Sequence, residues 1–147
     1  MDLKTRINEA VKDAMRARDK LRLGALRLIM AEIKRVEVDE RIEVDDARVL
    51  VILDKMLKQR AESERQYRDA NRADLADVEA FEIALIREFM PAPLDEAEID
   101  GLIEAALTES GADDMRGMGK VMAILKPKLQ GRADMAAVSA RVKARLA

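Results

Sequence analysis

FMPAPLDEAEID, residues 89–100, holds two of the three prolines of a 147-residue chain, followed at once by an acidic run. Pro91 and Pro93 push the residues before them out of helical backbone, so no helix runs through this point. Asp95 can cap a new helix, with Glu96 and Glu98 in its first turn and Asp95–Glu98 in capping-box spacing. The stretch therefore divides the chain into an N-terminal domain, residues 1–91, and a C-terminal domain, residues 92–147.

Upstream, Leu3, Ile7, Ala10, Val11, Ala14 and Met15 recur at the spacing of one buried helix face. Asp19 opens a second helix with the stripe Leu23, Leu26, Met30 and Ile33, ending near Arg41. Asp45 or Asp46 opens a third, carrying Val49, Leu50, Leu53, Met56 and Leu57. Asn71 suits a left-handed stop. A fourth helix from about Asp74 buries Leu75, Val78, Leu85, Ile86 and Phe89. Downstream, Ile99, Leu102, Ile103, Ala106 and Leu107 line a helix that Gly111 ends. The stripe Met118, Val121, Met122, Leu125 and Leu129 is kinked or shortened by Pro127 and terminated in a left-handed turn at Gly131. Asp134 caps the last helix, buried through Met135, Val138, Val142 and Leu146. The expectation is all-α, about four helices followed by three.

Composition agrees: charged residues make up 38% and aromatics 2%, with no cysteine, histidine or tryptophan. The missing histidine and cysteine take away the common general base, the thiolate nucleophile and the usual zinc ligands. No catalytic residue, metal or cofactor is assigned. No apolar run reaches the length of a membrane span, and the start does not resemble a signal peptide, so the expected location is cytoplasmic, without a membrane partner.

Net charge is −2, but its distribution is uneven. Residues 92–114 hold eight acidic and no basic side chains, whereas residues 115–147 hold eight basic and one acidic. The basic tail presents Lys120, Lys126, Lys128, Arg132, Arg141, Lys143 and Arg145 as candidate phosphate contacts. Its lack of aromatics points away from base stacking and toward recognition by backbone and shape. The bland reading is a solvated surface neutralised by the acidic helix at 95–109. Gly117-Met118-Gly119-Lys120 is read first as tight packing and second as a phosphate cradle. The charged run around Tyr67, with Lys58, Arg60, Glu62, Glu64, Arg65, Arg68 and Arg72, reads as an exposed face laced with ion pairs.

Several segments together resemble the GatB/YqeY-like family: MGKVM…L…PKLQGRAD at 118–134, KQRAES…Y…A at 58–70, RADL at 72–75, RLIMAEIK at 27–34 and FMPAPLDEAEI at 89–99. The likeness runs along nearly the whole chain, in order, and is nearest to free-standing members. The C-terminal region is similar to the tail domain of the B subunit of the glutamine-dependent aspartyl/glutamyl-tRNA amidotransferase. The resemblance implies an all-helical protein whose tail contacts tRNA, and a family label of carbon–nitrogen ligation with glutamine as amide donor. By motif position it carries over Gly119, Lys120, Pro127, Lys128, Gly131, Arg132, Ala133 and Asp134. The family pattern has Asp at Gly117, Gly at Asn71 and Gly at Met135.

The leading expectation is an accessory tRNA-binding protein linked to tRNA amidation, without a complete active site. The alternative is a helical protein–protein module with translation or aminoacylation partners. A glutamine-using enzyme and a duplex-DNA binder rank below these.

Overall fold

The computed structural model describes residues 1–147 as seven α-helices without strands. They fall into two compact units, Met1–Met90 and Pro91–Ala147.

Unit 1 contains α1 (Leu3–Ala17), α2 (Lys20–Glu40), α3 (Asp46–Asp69) and α4 (Ala73–Arg87). Aspartates begin the first three: Asp2, Asp19 and Asp45 accept from the amides of Thr5, Arg22 and Arg48, satisfying donors that a helix start leaves open. Arg18 and Arg41 end α1 and α2 in left-handed backbone, and Asn71 takes the same conformation (φ 59°) just past α3. The core gathers Ile7, Leu26, Ile29, Ile33, Val49, Leu53 and Ile86, all at most 1% exposed.

Two expected core residues lie outside. Met15 is 52% exposed because it sits a step round the helix from Ala14, beyond the edge of the buried stripe. Val78 is 52% exposed because, two residues on, it lies on the opposite side of α4 from the fully buried Ala76.

Unit 2 contains α5 (Glu96–Ser110), α6 (Met118–Leu129) and α7 (Met135–Leu146) around Ile103, Val121, Leu125, Leu129, Val138 and Val142. Asp95 accepts from the Glu98 amide at 2.7 Å, though only that half of the expected capping box forms. Gly111 (φ 69°) closes α5. No helix is long and apolar enough to cross a membrane.

Candidate nucleic-acid interface

A short 3-10 turn, Met115–Gly117, leads directly into α6. Asp114 starts it by accepting from the Arg116 amide at 2.9 Å, and its carboxyl is held below the usual range chiefly by the Arg116 side chain. Gly117 is the tight point. A Cβ built there would overlap the Cβ of Ala112 and lie 3.1 Å from its Cα. Any side chain at that position would meet the same overlap, and α6 itself begins without a side-chain cap, Asp114 capping only the 3-10 turn before it. Gly119 is different, because a Cβ there would meet nothing within 4 Å. The packing reading thus holds for Gly117 alone. The phosphate-cradle reading gains little: the Gly117 amide already donates to the Asp114 carbonyl, and that of Met118 to Met115.

Beyond its first turn α6 passes through Pro127 and stops two residues later, at Leu129. Pro127 has no amide to offer the Ala123 carbonyl, and both residues are exposed. Gly131 (φ 78°) makes the left-handed turn, and the Ala133 amide donates to the Leu129 carbonyl. Asp134 then accepts from the Ala136 amide at 3.0 Å and starts α7.

The seven basic candidates separate into three groups. Arg141 forks between Glu96, at 2.9 Å, and Asp100, and Arg145 pairs with Glu104. The Arg145 guanidinium holds the Glu104 carboxyl below its ordinary range. The acidic helix therefore neutralises these two arginines. Arg132 is half-buried and structural: its Nε donates to the Ala92 carbonyl at 3.2 Å, while its own carbonyl accepts from the Leu94 amide at 2.9 Å. It ties the proline segment to the loop after α6. Lys120, Lys126, Lys128 and Lys143 are exposed, and none lies within ion-pair reach of a carboxylate.

These lysines do not share one flat face. At about 100° per residue, Lys126 and Lys128 fall on opposite flanks of the buried Val121–Leu125–Leu129 stripe, with Lys120 on its outer side. Lys143 leaves α7 on the flank away from Arg141 and Arg145.

Composition and spacing did not reveal the structural duty of Arg132, which depends on backbone groups forty residues upstream. A signal for the α5–α7 pairing did exist. Glu96, Asp100 and Glu104 recur every fourth residue along one edge of α5, as Arg141 and Arg145 do on α7.

Elsewhere, the charged end of α3 is laced with ion pairs. Arg60 bonds Glu82 at 2.8 Å, Arg65 bonds Glu62, and Arg68 bonds Glu64 at 2.9 Å and Asp77 at 3.4 Å. Glu79, also half-buried, has its carboxyl pushed up by burial and then by Glu82. No group of three or more acidic side chains is arranged to hold a metal ion.

With this geometry in place, comparison with known proteins identifies the family. The family model for Yqey-like protein matches residues 4–146. The chain belongs to that family. Its curated relatives include "Altered inheritance of mitochondria protein 41, mitochondrial" of Pyrenophora tritici-repentis, 29% identical over 94% of this chain and 77% of the relative. The protein of the same name from Lachancea thermotolerans is 31% identical over 74% of this chain and 60% of its own length. That from Clavispora lusitaniae is 32% identical over 71% and 62%.

Proposed function

We propose that unit 2 of this Yqey-like protein binds the sugar–phosphate backbone of tRNA, as an accessory to glutamine-dependent tRNA amidation without a complete active site of its own. One observation carries the reading. Within a segment where Arg141 and Arg145 are matched by carboxylates, Lys120, Lys126, Lys128 and Lys143 are exposed and matched by none. Unpaired exposed lysines attract phosphate without first breaking an internal bond.

The test is tRNA affinity across a salt series. Binding should weaken with salt, and replacing Lys120, Lys126 and Lys128 by Gln should flatten the log–log slope by about 0.7–0.9 for each phosphate no longer neutralised. Arg141→Gln should leave the slope unchanged. No binding at low salt overturns the proposal. For the amidation link, the chain incubated alone with glutamine, ATP and misacylated tRNA should release no glutamate; release would make it an enzyme.

A second reading, a helical protein-interaction module in translation, is favoured by the engagement of Arg141 and Arg145 with α5. Partners retained after nuclease treatment support it. The proposed setting is the cytoplasm, whose reducing conditions suit a cysteine-free chain. The fungal relatives' names make the mitochondrion the competing location, and cell fractionation decides between them.

A further inference from the structure

The surface of unit 1 carries a second unmatched feature, on the outward side of α2. Leu21 and Leu28 are 75% and 48% exposed. With Gly24 and Ala31, also exposed, they follow the alternating three-and-four spacing of a coiled-coil seam, which Val38, 63% exposed, resumes after Arg35. A Cβ placed on Gly24 would meet nothing within 4 Å. The seam thus has two leucine knobs with an open recess between them, and no other helix of unit 1 covers it.

Lys20, Arg27 and Lys34 stand seven residues apart, each one position before a seam residue. That flank is where charge selects the partner in paired helices. All three are exposed, and none makes an ion pair. On the other flank Ala25 is buried, and Glu32 is half-buried and bonded to Arg35, which also bonds Asp39. The seam is therefore edged by unmatched positive charge on its open side.

We propose that this face of α2 docks an acidic amphipathic helix of a partner protein, leucine-type knobs entering the recess at Gly24 and carboxylates meeting Lys20, Arg27 and Lys34. A second copy of the chain fits less well. Antiparallel pairing sets the cation row against itself, and parallel pairing needs Glu32 and Asp39, both already held by Arg35. RNA gains nothing from the leucines, and a lipid surface has no knob for the recess. The inference stands independently of whether unit 2 binds RNA.

The probes are two labelled 21-residue helical peptides with leucine along the seam, one with Glu and one with Lys on both flanks, titrated into the full chain by fluorescence anisotropy. The acidic peptide should bind at least about ten-fold tighter than the basic one, corresponding to about 1.4 kcal/mol. Lys20→Glu/Arg27→Glu/Lys34→Glu should reverse that preference. Gly24→Gln should abolish binding by filling the recess while leaving the thermal midpoint unchanged or higher, since the position is open and glycine is a poor helix former. Equal binding of the two peptides overturns the proposal, as does an acidic-peptide affinity that the triple substitution leaves intact. So does a chain that sediments as a dimer until Leu21 and Leu28 are made polar, because a second copy would then own the face. Anionic vesicles that bind tighter than the acidic peptide, and lose that binding in the triple variant, would overturn it in favour of a lipid surface.

Discussion

The far end of α3 and the length of α6 look alike in sequence, each dense with cations, yet they are opposites in the fold. On α3, Arg60, Arg65 and Arg68 each reach a carboxylate. On α6, Lys120, Lys126 and Lys128 reach none. Arginine's planar fork and abundant nearby acids consume the positive charge in the first case. In the second, Glu96, Asp100 and Glu104 of α5 are spent on α7, and the lysines keep their charge for solvent or a ligand. Charge density along a chain therefore says little about field. The register of neighbouring helices decides it.

The contrast can be attacked from several directions. The largest effect should come from Arg60→Ala, which strands Glu82 where both side chains are only 17% exposed; a loss of about 1.5–3 kcal/mol is expected from urea unfolding. The α6 side depends on the turn that presents it. Gly117→Ala should cost about 1–3 kcal/mol through overlap with Ala112, and the double change with Ala112→Gly should recover most of it. Gly119→Ala, two residues on and facing open space, should instead add about 0.5–1 kcal/mol.

Acid titration probes the paired side. Hydrogen bonds from Lys4 and the Val44 amide hold the Glu37 carboxyl below its usual range. Its contribution is complete above the ordinary glutamate range and is lost as pH falls through the lowered value. The stability gap between wild type and Glu37→Gln should therefore narrow on going from about pH 7 to about pH 3. The smallest effect belongs to Lys128→Gln: no change in unfolding, with any consequence confined to tRNA affinity.

Much of the architecture was readable in advance because it rests on local rules. The caps at Asp19, Asp95 and Asp134, the left-handed turns at Asn71, Gly111 and Gly131, and the stripes of α5, α6 and α7 each follow from residues close in sequence. The misses have another character. Burial of Met15 or Val78 depends on which neighbour covers which side of a helix, and that is settled by elements elsewhere in unit 1. The candidate site divides the same way. Its basic residues were plain to see, while the partition into neutralised arginines, a structural Arg132 and unmatched lysines emerged only once α5 lay beside α7.

The stitch made by Arg132 has a practical consequence for dissecting the molecule. Because it grips the carbonyl of Ala92 and receives the amide of Leu94, the residues ahead of α5 are part of the fold rather than a dispensable leader. A truncated version starting at Asp95 would retain all three helices and their apolar interior yet leave the loop before α7 unanchored. An excised C-terminal fragment should begin no later than Pro91.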